Sequence, residues 1–324
     1  MRRREFLAGL GGAAVSPLRA GAQQQVARRP RLGILLYSTP QGDPNLVSFL
    51  RALGEFGYVD GQSIAIEYRY GEGRPERLPD LAAELVRLEP DLLFSLGGDV
   101  SVPTVRATSR FPILFASSAD PVQLGLVTSL ARPGGNATGV SFLLDDLASK
   151  RLEFLKEAAP RTSHVAFVWN PDHPDPELLE AERAAAKLGV ALQRLPVRRP
   201  DDIDGALRAA STEGADALYI VSSRLTVREL PRFVSFASEG RIPLAGGWGA
   251  WAREGGLLSY GPNLNDMMRS AAGYADRILK GAKPADLPVQ QPTRFELVMN
   301  LKTAAALGIA ISPALVARAD EVLE

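Results

Sequence analysis

Two kinds of apolar run alternate along the chain: short, nearly continuous ones, and longer ones with apolar residues three and four apart. The first kind reads as a strand buried on both faces and the second as a helix with one buried face, so their alternation predicts β-α-β units in a largely parallel sheet. Residues 31–37 form a strand that stops at Ser38 and Thr39, 45–56 a helix, 64–70 a strand and 75–88 a helix. The pattern is plainest between Glu89 and Pro121. A strand at 92–96 ends in Gly97, Gly98 and Asp99, a helix-compatible segment comes next, and a strand at 113–116 ends in Ser117, Ser118 and Asp120.

The same order returns in the second half. Strand 164–169 ends at Asn170, helix 176–188 and strand 190–197 come after it, and helix 200–213 leads to an apolar run ending in Ser222 and Ser223. A helix-like stretch then leads to the run at 241–245, which ends in Gly246, Gly247 and Trp248. Elsewhere the pattern predicts a short helix at 121–130, strands at 138–144 and 257–260, and a helix at 264–280. The tail carries extended stretches at 287–291 and 294–301 and short helices at 302–307 and 313–323. Two copies of one architecture predict an α/β protein of two Rossmann-like lobes of parallel sheet. The first comprises 30–144 with 261–286 and the second 145–260 with 287–324, hinged where the chain crosses near 138–144, 259–263 and 290–294.

Ligands of open parallel sheets bind outside the carboxyl ends of the strands, where loops present backbone N–H groups and small polar side chains. Two such edges facing each other make a cleft. Its first wall is expected to hold Ser38, Thr39, Gly97, Gly98, Asp99, Ser117 and Asp120, and its second Asn170, Ser222, Ser223, Trp248 and Tyr260. Asp120 comes after a buried strand and precedes Pro121, a place where a carboxylate either holds a ligand cation or caps the start of a helix. Trp248 and Tyr260 stand just past strand ends, suited to stacking in the cleft or to packing at the hinge. Arg224 adds a donor fork suited to a carboxylate if it points inward.

Composition narrows the chemistry. With 324 residues the chain suits two domains, and 37 basic against 37 acidic side chains give no field that favours nucleic acid. The absence of cysteine removes thiol catalysis, disulfides and thiolate metal sites. His164 and His173, the only histidines, have neither metal nor triad spacing. The acidic pairs Asp145-Asp146 and Asp201-Asp202 sit where helices begin and read as caps. No phosphate loop or nucleophile elbow is present, so neither a cofactor nor catalysis is expected. Residues 1–22 begin with Arg3-Arg4, continue through a modest Gly/Ala-rich apolar run and end in Ala20-Gly21-Ala22. This looks like a twin-arginine export signal cleaved near Ala22, which places the mature protein in the periplasm.

Several segments carry a resemblance that spans nearly the whole chain: GEGRPERLPDLAAELVRLEPDLL (71–93), DPVQLGLVTSLARPGGNATGVSF (120–142), KRLEFLKEAAP (150–160), VWNP (168–171), GGLLSYGPN (255–263) and the tail at 280–324. They resemble the ABC-transporter solute-binding family related to tryptophan- and tyrosine-binding proteins. The resemblance implies a type I periplasmic binding fold and a monomeric receptor that closes about its hinge on a small polar solute, amino-acid-like in the better understood members. It also implies delivery of that solute to an ABC permease in the inner membrane; the alternative is the ligand-sensing component of an exported signalling system. Asp120 matches the family pattern. Ser222-Ser223-Arg224 stands where those relatives have Thr-Asp-Asn, and Gly97-Gly98-Asp99 where they have a Thr-containing loop ending in Gln.

Overall fold

The structure, a computed structural model, describes residues 28–39, 43–142, 147–172 and 177–324. The expected export signal, Asp145, Asp146 and His173 lie outside the described residues. In the first lobe β1 (Arg31–Leu36), α1 (Pro44–Glu55), β2 (Ala65–Tyr70), α2 (Leu78–Arg87), β3 (Leu92–Leu96), α3 (Gly98–Ala107), β4 (Ile113–Ser117) and β5 (Ala137–Ser141) succeed one another. The five strands run parallel in the order β2-β1-β3-β4-β5. Every residue of β3 and β4 is buried, as strands covered on both faces must be.

The second lobe begins with α4 (Leu147–Ala158), β6 (His164–Trp169), α5 (Glu177–Leu188), β7 (Ala191–Pro196), α6 (Asp202–Thr212) and β8 (Ala217–Ile220). It continues through α7 (Arg224–Arg228), α8 (Leu230–Gly240), β9 (Leu244–Gly246), α9 (Gly249–Arg253) and β10 (Leu258–Pro262). Then α10 (Leu264–Leu279) returns to the first sheet, where Met267, Met268, Ala271 and Ala272 pack with Leu46, Phe49 and Leu53 of α1. The tail, β11 (Phe295–Asn300), α11 (Leu301–Leu307), α12 (Pro313–Val316) and β12 (Glu321–Leu323), completes a seven-stranded sheet ordered β12-β11-β10-β9-β8-β6-β7. Among the described residues only β10 and β11 pair antiparallel in it.

Three elements differ from the sequence reading. Residues 121–130 are a series of turns rather than a helix: Gly125 takes φ +68°, and Leu126 and Val127 turn inward to be buried. The helix-like stretch after Ser223 is two helices, because Pro231 near the start of α8 cannot supply an N–H to a continuous ladder. The last expected helix stops at Val316. The Asp320 carboxylate accepts the Leu297 N–H at 2.8 Å and the Asp320 N–H binds the Leu297 carbonyl at 2.9 Å, which draws 321–323 into the sheet as β12.

Candidate functional site

The carboxyl ends of the two sheets face each other, and between them lies a cavity of about 360 Å³. Ser38, Thr39, Asp43, Pro44 and Asn45 line it from the first lobe, together with Leu264 at the start of α10; Arg224, Val227, Arg228, Trp248 and Ala250 line it from the second. The size is ordinary for a small-molecule site. A larger hollow of about 570 Å³ lies elsewhere, but α2 and α3 of one lobe supply nearly all its lining and only Asp172 comes from the other. The smaller cavity is the one at the strand ends of both lobes, where bound ligands are held in such folds.

Among the described residues one ion pair crosses it. Arg224 Nη1 donates to Asp43 Oδ2 at 3.0 Å, with the two side chains only 13% and 7% exposed. Asp43 is fixed from its own side as the N-cap of α1, its Oδ1 accepting the Asn45 and Leu46 N–H groups at 3.0 and 3.2 Å. Arg224 opens α7, whose N-cap Ser223 forms a reciprocal pair with Thr226: the Ser223 N–H donates to Thr226 Oγ1 at 2.8 Å, and Ser223 Oγ accepts the Thr226 N–H at 3.2 Å. The guanidinium then lies over Gly97. With φ +122° this residue needs the freedom of glycine, and a Cβ on it would meet Arg224 Nε at 3.2 Å. Arg228 similarly packs against Gly73. Tyr37, whose hydroxyl donates to the Gly73 carbonyl at 3.1 Å, has its pKa raised, first by burial and then by the Asp99 carboxylate.

Of the residues expected from the sequence, Ser38, Thr39 and Trp248 line the cavity, and Gly97 reaches it by lying beneath Arg224. Trp248 is buried, meets Phe142 of the first lobe edge-on with ring centroids 6.3 Å apart, and its Nε1 has no hydrogen-bond partner among the described residues. Gly98 opens α3, packed on Ala119 and Ser117, while Asp99 turns into the hollow beside α2. The others bond or pack within their own lobes. Ser117 Oγ bonds to both backbone groups of Ala119, and Asn170 Oδ1 accepts the Asp172 N–H at 2.9 Å. Asp120 accepts the Val122 and Gln123 N–H groups at 2.8 and 3.3 Å and the Gln123 amide at 3.1 Å. Ser222 Oγ accepts Trp251 Nε1 at 2.9 Å. Tyr260 packs within the second lobe, 5.0 Å from the Phe154 ring and 6.3 Å from Phe295.

Asp43 was missed by the sequence reading, although an Asp before a Pro at a helix start is itself a cap signal. Arg151 was missed too. Fully buried beneath the second wall, it donates from Nη1 to Glu177 Oε2 at 2.7 Å and to the Tyr219 hydroxyl, and from Nε to the Tyr260 carbonyl at 2.9 Å. Burial alone lowers its pKa, but the Glu177 carboxylate and the Tyr219 oxygen outweigh burial and the net shift is upward.

Comparison with known proteins gives this arrangement its relatives. The model of the family described as "ABC transporter substrate binding protein" matches residues 38–323. The tyrosine-binding protein of Clostridioides difficile (strain R20291) is 25% identical over 274 residues, which are 84% of this chain and 79% of that protein. A conserved domain protein from Vibrio cholerae O1 biovar eltor superposes with a TM-score of 0.84 at 27% identity, covering 91% of this chain and 100% of that one. An ABC domain from Streptococcus pneumonia in complex with L-Trp superposes with a TM-score of 0.81 at 25% identity, covering 91% of this chain and 100% of its own.

Proposed function

From the premise that the chain belongs to the ABC transporter substrate-binding protein family, we propose that it is the exported solute receptor of an ABC uptake transporter. It takes a small polar organic solute between its lobes, closes on it and presents the closed form to an inner-membrane permease, with no chemistry done on the solute. The observation that carries this reading is the cavity at the strand ends, lined from both lobes and bridged by Arg224 and Asp43. A solute held there touches both walls at once and therefore stabilises the closed form by its differential affinity. The moving bodies are the two lobes: the first sheet with α10 and with Leu287, Val289 and Gln290, which pack against it, and the seven-stranded sheet with its own helices. Ser38, Thr39 and Trp248 meet the solute directly; Gly97, Gly98, Ser117, Ser222 and Ser223 shape the loops around it. Residues 1–22 carry the chain to the periplasm.

The test is native mass spectrometry of protein recovered from the periplasmic fraction. A bound small molecule, released on denaturation and restoring thermal stability when added back, is the expected result. Protein confined to the cytoplasm would end the export reading, and a chain that neither carries nor is stabilised by any small molecule would end the receptor reading.

A further inference from the structure

Among the described residues Arg224 and Arg228 line the cavity as cations and Asp43 as its one carboxylate, with Glu229 outside the lining 3.6 Å from Arg228 Nε. Both oxygens of Asp43 are already taken, Oδ1 by two backbone N–H groups and Oδ2 by Arg224. Asp120, the other carboxylate read as a cation holder, does not line the cavity and accepts three N–H groups of its own loop. No lining carboxylate among the described residues is without a cation already paired to it. Donors, in contrast, are in surplus. Arg224 spends only Nη1 on Asp43; its Nε and Nη2 have no hydrogen-bond partner among the described residues, and neither has Nε1 of the buried Trp248. Pro44, Val227, Trp248, Ala250 and Leu264 supply an apolar part of the lining, and the neutral side chains of Ser38, Thr39 and Asn45 the remainder.

The geometry points to Arg224 as the anion-recognition residue of the cleft, and to a solute that is an organic monocarboxylate with an apolar body and no ammonium group. The inference rests on the receptor reading above and deepens it. The free edge of the guanidinium, Nε with Nη2, matches the two oxygens of a carboxylate as a fork. An α-amino acid would bring an ammonium group to a site whose one lining carboxylate among the described residues is already paired with Arg224, leaving only the neutral acceptors of Ser38, Thr39 and Asn45 to offset its desolvation.

Three probes with one skeleton separate the head groups: 3-phenylpropanoate, L-phenylalanine and 2-phenylethylamine, each titrated by calorimetry and thermal shift into the mature protein. The expected order is 3-phenylpropanoate at least 10-fold tighter than L-phenylalanine, with no binding of the amine. Arg224→Gln should lose about one to two decades of affinity for 3-phenylpropanoate, the worth of a charge-assisted pair. Asp43→Asn, which keeps the cap on α1 but frees the fork, should bind it as tightly as the parent or more tightly. Equal losses in the two variants would make the ion pair a mere tie between lobes and overturn the inference, as would preference for L-phenylalanine or the amine. If none of the three binds, the inference falls for bodies of this kind. A bound solute without a carboxylate, found by mass spectrometry, would remove it entirely while leaving the receptor reading intact.

Discussion

Arg151 carries its charge entirely out of water, and what makes that tolerable is the Glu177 carboxylate at 2.7 Å with Tyr219 and the Tyr260 carbonyl around it. Removing one member of a buried pair strands the other, which costs more than the pair itself contributes. Glu177→Leu should therefore lower stability by about 3–5 kcal/mol. Adding Arg151→Met to that variant should restore most of the loss; urea midpoints at unchanged slope measure both, and a double variant as unstable as the single would contradict the argument. At Gly97 the constraint is backbone conformation combined with crowding. A Cβ there would lie 2.7 Å from Asp99 Oδ1 as well as beside Arg224, at φ +122°. Gly97→Ala should cost about 1–3 kcal/mol and, by displacing Arg224, weaken solute binding; unchanged stability and affinity would show the loop to be pliant.

Among the elements, β12 is a three-residue strand that holds a sheet edge by polar contacts. Its Glu321 is clasped by Arg253 of α9, with Arg253 Nε donating to both carboxylate oxygens at 3.2 and 3.1 Å. The hydrogen bonds from Arg253 lower the Glu321 pKa from its ordinary value of 4.5. A carboxylate whose folded pKa is depressed contributes stability that is present above its unfolded value and lost as pH falls through the folded one. The tether of β12 should therefore weaken below about pH 4.5, and amide exchange of 321–323 should accelerate there before that of β10. Glu321→Gln should lose that acid sensitivity; if its exchange keeps the parent's pH dependence, the ion pair is not what holds the strand.

For the whole molecule the question is motion. The helices α1 and α5 come after the parallel strands β1 and β6 and so begin at the cleft face, which puts Val47 near the start of α1 and Leu179 near the start of α5 on opposite rims, 58% and 51% exposed. The chain has no cysteine, so Val47→Cys with Leu179→Cys gives two unique labelling sites. Closure about the crossing segments should shorten the distance between labels when solute is added. Identical distance distributions with the solute verifiably bound would show that the lobes do not close.

The order of strands and helices was legible in the sequence because it rests on local periodicity, which neighbouring residues set among themselves; β3, β4, β6 and β8 all appear where short apolar runs predicted strands. The small polar stops after those runs marked the carboxyl ends of the strands for the same local reason. What no local pattern carries is the meeting of Arg224 with Asp43, 181 residues apart. That contact exists because α10 docks on the first sheet and the tail completes the second, setting the two edges face to face. The two readings of Asp120 likewise demanded the same residue at the same place. Only the fold of its own loop decided which N–H groups its oxygens accept, just as only the extra strand pairing of 321–323 decided against a helix. Local sequence settles periodicity and caps; which charged groups share a cavity is settled by packing between distant segments, whose energies no single stretch contains.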